Sequence, residues 1–250
     1  MLKADGITKI WGAGTVNEKT AIENLTLSLD EGDFVTLVGG NGSGKSTTLN
    51  VIAGIFPVDS GKIFINGVDV TKYPGYKRAK FIGRVFQDPL MGSAANMEIQ
   101  ENLALAARRG KNRTLKWGVT KKEREHYREL LSHLGLGLED RMTDKVGLLS
   151  GGQRQALTLM MATLNMPKLL LLDEHTAALD PKTAAKVLEI TDAIIRKHRF
   201  TTLMVTHNMK DAIAHGNKLV MMAEGKIVFE AEGSAKQKLT VAEMIERFAI

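Results

Sequence analysis

Hydrophobic and polar residues alternate along two segments in the first part of the chain. Residues 22–29 read I-E-N-L-T-L-S-L, and residues 62–70 read K-I-F-I-N-G-V-D-V. Alternation with a period of two is typical of strands that bury one face and expose the other. We therefore predict a half-buried antiparallel strand over each of the two segments.

Three other segments are apolar almost throughout: Phe34–Val38, Leu169–Leu172 and Thr202–Val205. Strands of a parallel sheet that is covered on both faces have this composition. Residues 218–222 and 226–230 are also apolar in part, and the turn residues Glu224 and Gly225 separate them. This pair predicts a hairpin near the end of the chain.

Helical periodicity occurs between these strands. In residues 121–134 and 182–198, apolar side chains recur at intervals of three and four, which predicts amphipathic helices. Thr240 is followed three residues later by Glu243, a capping-box signature that predicts the start of a final helix. The whole block of residues 88–163 is predicted to be mostly helical.

The order of these elements predicts an α/β fold in one domain that spans residues 1–250. We expect a β-rich part at 1–33 and 60–86, a core at 34–59 and 164–250, and an inserted helical part at 88–163. The β-rich part is predicted to form an antiparallel sheet, and the core a sheet of buried strands with helices between them.

Composition excludes several classes of protein. The chain has 250 residues, of which 44% are hydrophobic and 25% charged, which is enough to bury a core. No uncharged apolar run reaches the about 18 residues of a membrane span, and the N-terminus lacks the apolar run of a signal peptide. The absence of cysteine excludes disulfides, thiol catalysis and cysteine zinc sites. A cytoplasmic protein is expected.

Positive charge is concentrated in one segment. The net charge is +6, and residues 108–124 contain eight Lys or Arg and one Glu, so the remainder of the chain is near −1. A general nucleic-acid-binding face is therefore not supported, and no nucleic-acid partner is expected. The segment, which includes Lys111, Arg113 and Lys116, either contacts anionic lipid headgroups or an acidic partner, or is a solvated loop.

A glycine-rich segment directly follows the first buried strand. Residues 39–47 read G-G-N-G-S-G-K-S-T and fit the pattern G-x-x-x-x-G-K-[ST]. Backbone N–H groups of such a turn surround phosphate oxygens at the N-terminus of a helix, where Lys45 reaches the β and γ phosphates and Ser46 ligates Mg²⁺. The predicted nucleotide-binding residues are Gly39, Asn41, Gly42, Ser43, Gly44, Lys45, Ser46 and Thr47. The alternative is a glycine-rich turn without a ligand.

Two acidic residues follow the second buried strand. Asp173 ends that strand at the carboxyl edge of the sheet, where open α/β sheets bind ligands, and we expect it to hold the shell of Mg²⁺. Glu174 is expected to polarise a water in line with the γ-phosphate. The alternative is an acidic pair that caps the following turn.

A second glycine-containing segment, L-S-G-G-Q-R-Q, occupies residues 149–155. Ser150 is predicted to cap the next helix, and Gly151 and Gly152 allow an anion to approach the backbone closely. Ser150, Gly151, Gly152 and Gln153 are predicted to bind the nucleotide, and the alternative is a capped helix start without a ligand. One nucleotide does not need two glycine-rich phosphate cradles. The two segments therefore predict that a second copy of the chain completes the nucleotide site.

With these motifs in this order, the chain resembles ATP-binding-cassette (ABC) ATPase subunits over essentially its whole length. The resemblance implies a P-loop NTPase (RecA-like) core, ATP and Mg²⁺ as ligands, and catalytic roles for Glu174, His207 and Gln87. It implies that Ser46, Gln87 and Asp173 hold the metal, and that Asp180 in A-A-L-D contacts the opposite site of a dimer.

Two positions match the family less closely. Trp11 is the best match to the aromatic residue that stacks on adenine, and a buried packing tryptophan is the alternative. His175 stands where the family usually has proline, and we predict no catalytic role for it.

The resemblance also implies how the chain works. Two copies, expected to be identical, close on two ATP molecules and move separate permease subunits at the inner face of the cell membrane. The strings D-E-H-T-A-A-L-D-P and G-T-V-N-E are similar to an importer branch linked to tryptophan- or tyrosine-like substrates, fed by an extracytoplasmic solute-binding protein. The alternatives are an exporter, a lipid or lipoprotein extraction system, or a soluble ABC protein that acts on nucleic acid or the ribosome.

Overall fold

The computed structural model of the protein describes residues 1–111 and 118–248. Its strands are β1 (Leu2–Trp11), β2 (Lys19–Leu29), β3 (Phe34–Gly39), β4 (Ser60–Ile65), β5 (Val68–Asp69), β6 (Ile82–Val85), β7 (Leu169–Asp173), β8 (Thr201–Val205), β9 (Lys218–Ala223) and β10 (Lys226–Glu232). Its α-helices are α1 (Lys45–Ala53), α2 (Gly75–Arg78), α3 (Ile99–Ala107), α4 (Lys121–Ser132), α5 (Gly151–Thr163), α6 (Pro181–His198), α7 (Met209–Ala214), α8 (Gly233–Gln237) and α9 (Val241–Phe248). This order confirms the predicted α/β class.

The strands form two sheets. The smaller is antiparallel with the order β2-β1-β4-β5, and the larger has the order β10-β9-β3-β8-β7-β6. In the larger sheet β6, β7, β8, β3 and β9 run parallel, and β10 alone of these strands runs antiparallel. The carboxyl ends of β3, β7 and β8 therefore meet at one edge, which is where ligands bind in such sheets.

The first predicted strand is confirmed as part of β2, and the second is confirmed for residues 62–65, which belong to β4, but its continuation to residue 70 was wrong. That segment is divided into β4 and β5 by Asn66 and Gly67, whose φ angles are 52° and 77°. An Asn-Gly pair with two positive φ angles makes the tight turn of a hairpin, so the strand reverses instead of continuing. The hairpin predicted at Glu224 and Gly225 is confirmed by the same geometry, with φ angles of 47° and 78°.

The apolar run of β7 packs into two separate cores. Leu169 and Leu171 belong to a hydrophobic cluster with α1 and the antiparallel sheet, whereas Leu170 and Leu172 belong to a cluster with the helices of the inserted part. Successive side chains of a strand point to opposite faces, so a strand covered on both faces must be apolar throughout. The three buried strands predicted from the sequence are confirmed in this way.

Strand β6 corrects the predicted division of the chain. We predicted residues 60–86 to belong to the β-rich part, but β6 pairs with β7 in the larger sheet. Its four residues include Gly83 and Arg84, so the segment lacks the continuous apolar run of the other parallel strands. A Cβ at Gly83 would lie 2.5 Å from the carbonyl oxygen of Ala162, so glycine lets α5 pack closely on this strand.

The described part of residues 88–163 contains three α-helices, α3, α4 and α5, with turns over 88–98 and between α4 and α5. Helix α4 begins with a capping box between Thr120 and Glu123, and it buries Tyr127 and Leu131 against the cluster that contains Leu170. Helix α5 contacts α3, β6 and α6, which anchors the inserted part to the larger sheet. Within the described ranges, none of the helices is both long and apolar enough to span a bilayer.

Candidate active site

A cleft of about 230 Å³ opens at the carboxyl edge of the larger sheet. It is lined by Trp11, Lys19, Ala21, Asn41, Gly42, Ser43, Gly44, Lys45, Ser46, Thr47 and Glu174. Lys19 lies opposite Trp11 in the antiparallel register of β1 and β2, and the sequence offered no motif that would single it out. The structure thus brings most of the predicted nucleotide-binding residues together around one space.

The turn between β3 and α1 has the backbone that a phosphate cradle requires. Gly42 and Gly44 have φ angles of 80° and 103°, which side-chain-bearing residues rarely adopt. A Cβ at Gly44 would also lie 2.5 Å from the carbonyl oxygen of Ala21. The turn leads directly into α1, whose free N-terminal N–H groups and dipole favour an anion at this position.

Lys45 is held above this turn. Its Nζ donates to the carbonyl oxygens of Gly39 and Gly40 at 2.7 and 2.9 Å. Burial lowers the pKa of Lys45, and the carboxylates of Glu174 and Asp173 oppose that shift. The ammonium is therefore bonded to the cradle and is within electrostatic reach of both predicted acidic residues, and a triphosphate oxygen can replace the carbonyl acceptors.

Glu174 and His207 meet across the ends of β7 and β8. Glu174 has a φ angle of 44°, and its N–H donates to the carbonyl oxygen of Val205 at 3.0 Å. Nδ1 of His207 lies 3.4 Å from Oε2 of Glu174. A left-handed conformation at a non-glycine residue is unfavourable and is concentrated at functional sites. This turn directs Glu174 from the strand into the cleft, and His207, which does not itself line the cleft, contacts Glu174 from the end of β8.

The oxygen ligands at this edge fit Mg²⁺. Ser46 supplies a hydroxyl to the cleft. Asp173 supplies a carboxylate whose charge raises the pKa of Lys45, against the effect of burial. Among the described residues, no cluster of three or more His, Cys, Asp or Glu side chains forms a complete metal site. Mg²⁺ prefers oxygen ligands, keeps several waters and uses substrate phosphates, so a sparse set of this kind suits a metal that arrives with a nucleotide.

Gln87 is not brought into the cleft. It lies two residues beyond β6 and is exposed, and the cleft is lined by other residues. The side chain of Gln155 on α5 donates to the carbonyl oxygen of Phe86 at 3.1 Å, which ties this segment to the helical part. The catalytic and metal-binding roles of Gln87 remain predictions.

The segment around Ser150 forms a helix start away from the cleft. The Ser150 hydroxyl accepts from the N–H of Gln153 at 3.3 Å, and Gln153 Oε1 accepts from the N–H of Ser150 at 3.2 Å. Ser150 and Gly151 are exposed, whereas Gly152 is buried. A Cβ at Gly152 would overlap Cγ2 of Thr183, so this glycine is required by the packing of α5 on α6. Sequence reasoning assigned Gly152 to the nucleotide and missed this structural role.

Asp180 also caps a helix outside the cleft. Its Oδ1 accepts from the N–H of Thr183 at 3.1 Å at the start of α6. Hydrogen bonds from Thr183 hold the pKa of the Asp180 carboxyl below its usual value. Neither Asp180 nor Ser150 lines the cleft of its own chain.

Trp11 reaches the cleft from the end of β1. Its ring stands edge-on against Phe56 at a centroid distance of 4.8 Å, and Nζ of Lys9 lies 5.1 Å from the ring centroid. Lys9 is itself paired with Asp59 at 3.2 Å. The ring is therefore both packed and accessible to the cleft, and its contact with adenine remains a prediction.

His175 is buried beneath the site. Its Nε2 lies 3.1 Å from the hydroxyl of Thr191, and burial, with His215 nearby, lowers the pKa of His175 to about 4. The imidazole is therefore neutral at pH 7 and belongs to the interior.

In the described part of the basic segment, three arginines are bonded to other groups of the protein. Arg108 pairs with Glu123 at 3.1 Å, and Arg109 donates to the carbonyl oxygen of Ala162 at 3.0 Å. Arg124 donates to Gln100 at 2.9 Å. The predicted surface residues Arg113 and Lys116 lie outside the described residues.

Comparisons with known proteins agree with this geometry. Residues 22–177 match the family model described as ABC transporter. A tyrosine transport ATP-binding protein of Clostridioides difficile is 43% identical over 99% of this chain and 98% of its own length. An energy-coupling factor transporter ATP-binding protein of Acetivibrio thermocellus is 31% identical over 90% of this chain and 78% of its own length.

Solved structures show the same fold with nucleotide bound. A dimeric, post-hydrolysis structure of the ATP-binding cassette MJ0796 with ADP and Pi has a TM-score of 0.79 and 29% identity, and covers 93% of this chain and 98% of that chain. The cassette MJ1267 in its ADP conformation has a TM-score of 0.82 and 26% identity, over 100% of this chain and 98% of that chain. This chain belongs to the ABC transporter family, as an ATP-binding subunit that hydrolyses ATP with Mg²⁺ as the associated ion.

Proposed function

We propose that two copies of this chain close on two ATP molecules, each held between the cleft of one copy and the Ser150 segment of the other. The observation that carries this proposal is the separation of the two segments within one chain. Ser150 and Asp180 are exposed helix starts that do not line their own cleft. An exposed helix N-terminus with free N–H groups is suited to a phosphate that another chain presents.

In the closed site, the residues of the cleft have separate tasks. Lys45 exchanges its two carbonyl acceptors for oxygens of the β and γ phosphates, while the N–H groups of residues 41–47 surround the phosphates. Glu174 orients and accepts a proton from the attacking water, and His207 holds the γ-phosphate beside it. Mg²⁺, held by Ser46, Asp173 and Gln87, would neutralise charge on the phosphates. For that role Gln87 must move inward from its exposed position.

Closure is proposed to drive separate permease subunits at the inner face of the cell membrane. The relative from Clostridioides difficile, which matches nearly the whole chain, is named for tyrosine transport. More distant relatives are named for spermidine/putrescine import and carnitine transport. These names support import of a small solute, with an aromatic amino acid as the first candidate, delivered by an extracytoplasmic solute-binding protein.

The chain-concentration dependence of ATP turnover tests the two-copy site. If each site needs two chains, turnover per chain rises with chain concentration and levels off where dimers predominate. Glu174→Gln at the same concentrations provides the background without turnover. Turnover per chain that stays constant from nanomolar to micromolar concentrations contradicts the proposal, because a complete site within one chain does not depend on a partner.

Uptake by cells tests the transport role separately. Radiolabelled tyrosine is offered to cells that produce the wild-type chain with its permease, and to matched cells that produce Glu174→Gln. ATP-dependent accumulation only with the wild type supports import of this solute. Equal accumulation in both excludes tyrosine, and tyrosine efflux driven by the wild type would assign an exporter instead.

A further inference from the structure

An ion pair joins the neighbouring strands β6 and β7 at the edge of the active site. Nη2 of Arg84 donates to Oδ2 of Asp173 at 2.8 Å. Arg84 is paired with Leu171 in the parallel register, so Arg84 and Asp173 lie on the same face of the sheet. The two side chains are only 11% and 15% exposed, so solvent screens this pair weakly.

Arg84 has few other partners. Among the described residues, its Nε and Nη1 have no hydrogen-bond acceptor, and the ring of Phe86 packs 4.6 Å from its guanidinium carbon. Arg78 is buried as well, but it donates to backbone carbonyls of four residues: Val51, Ile52, Thr71 and Tyr73. Arg78 therefore holds backbone together, whereas the polar contact of Arg84 is directed to Asp173.

We propose that Arg84 is a positioning residue that orients Asp173 for the metal. The inference rests on the proposed function, in which Asp173 belongs to the shell of Mg²⁺. The bond from Arg84 engages Oδ2 and restrains the rotation of the carboxylate, so that Oδ1 is available to a water of the hydrated ion. Partners that orient metal-site carboxylates in this way are worth about 10- to 100-fold in metal affinity or activity.

The burial of the pair also determines the effect of replacing Arg84. Removing one partner of a buried pair leaves the other charge unpaired, so Asp173 without Arg84 is free to turn toward solvent or another donor. Lysine keeps a charge at this position but replaces the planar fork by a single flexible ammonium. If Arg84 orients Asp173, Arg84→Lys should therefore lose less metal affinity than Arg84→Met. If Arg84 only repelled the metal, its replacement by Met would instead raise the metal affinity.

The experiment measures ATP affinity by calorimetry in a Glu174→Gln background, once with excess Mg²⁺ and once with EDTA. The ratio of the two affinities is the Mg²⁺ enhancement. Arg84→Met is expected to lower this enhancement by about 10- to 100-fold and to leave the affinity in EDTA within about twofold. Arg109→Met, which removes a part-buried guanidinium bonded to a distant carbonyl, is the control and should change neither affinity.

Two results would overturn the proposal: a larger enhancement in Arg84→Met, or an unchanged enhancement, which includes equal losses of affinity with Mg²⁺ and with EDTA. If Arg84→Met does not fold, Arg84→Met with Asp173→Asn removes both charges together. That double variant should match Asp173→Asn alone, and a further loss of enhancement would show that Arg84 does not act through Asp173. A Glu174→Gln parent without any Mg²⁺ enhancement would instead refute the proposed metal site, whatever Arg84 does.

Discussion

Nδ1 of His207 lies 3.4 Å from Oε2 of Glu174, although the two residues are separated by α6 and β8 in the chain. The contact forms because β7 and β8 are adjacent parallel strands whose carboxyl ends meet at one edge. Glu174 is 19% exposed and His207 is 58% exposed, so the pair lies at the mouth of the site, where an attacking water can enter. In the proposed function, Glu174 accepts the proton of that water and His207 contacts the γ-phosphate.

Glu174→Gln is expected to bind ATP with Mg²⁺ as the wild type does and to lose nearly all turnover. An amide keeps the shape of the side chain but cannot accept the proton of the water, and a general base contributes about 10²–10⁴-fold to the rate. Steady-state kcat and calorimetric ATP affinity check the two halves of this prediction. Retention of more than about a tenth of the wild-type kcat would remove Glu174 from this role.

Trp11→Ala is expected to weaken ATP binding by about 5- to 150-fold, since stacking of a base on an aromatic ring is worth about 1–3 kcal/mol. Inorganic tripolyphosphate has no base, so its affinity should not change. Competition binding with both ligands makes the comparison on the same protein. If Trp11 only packs against Phe56, the affinities for ATP and tripolyphosphate will change together.

Gly152→Ala is expected to destabilise the chain by about 1–3 kcal/mol, because the added methyl group overlaps Cγ2 of Thr183 where α5 packs on α6. Thr183→Ser removes that methyl group and should restore much of the loss in the double variant. Urea unfolding of the two single variants and the double variant measures the coupling. Additive effects of the two substitutions would show that this contact does not explain the glycine.

The stability of the protein is expected to fall as pH decreases from about 6.5 to about 4 through His175. The folded pKa of His175 is lowered to about 4 by burial, so only the unfolded chain binds this proton in that range. Preferential protonation of the unfolded state reduces the free energy of unfolding, by about 3 kcal/mol at the acid end. His175→Gln should flatten this part of the curve of unfolding free energy against pH. A slope identical to that of the wild type would contradict the assignment.

Much of the fold and site follows from local patterns. The four leucines of β7 predict a strand covered on both faces, and the glycines and Lys45 after β3 predict the phosphate cradle. The hydrophobic pattern does not predict a strand where the residues of that strand are determined by contacts with distant parts of the chain. Strand β6 has no apolar run, because Gly83 is required by α5 and Arg84 is directed to Asp173. Pairing of that kind is set by the assembled sheet, so the local sequence did not indicate it.

The measurement that tests the two-copy site most directly is the mass of the ATP-bound protein, by size exclusion with light scattering. Glu174→Gln with ATP and Mg²⁺ is expected to elute with twice the mass of one chain. Adding Ser150→Arg should return it to a monomer, because a long side chain occupies the position where the partner's phosphate approaches. Thr120→Arg alters an equivalent exposed helix cap on α4 and should leave the dimer intact.

ATP affinity of the Ser150→Arg monomer completes this test. It should stay within about tenfold of the parent, which corresponds to about 1.4 kcal/mol, since the cleft of the same chain is unchanged. A double variant of Glu174→Gln and Ser150→Arg that still dimerises with ATP would contradict the composite site. Complete loss of ATP binding would place Ser150 in the site of its own chain, and the two-copy account would then be wrong.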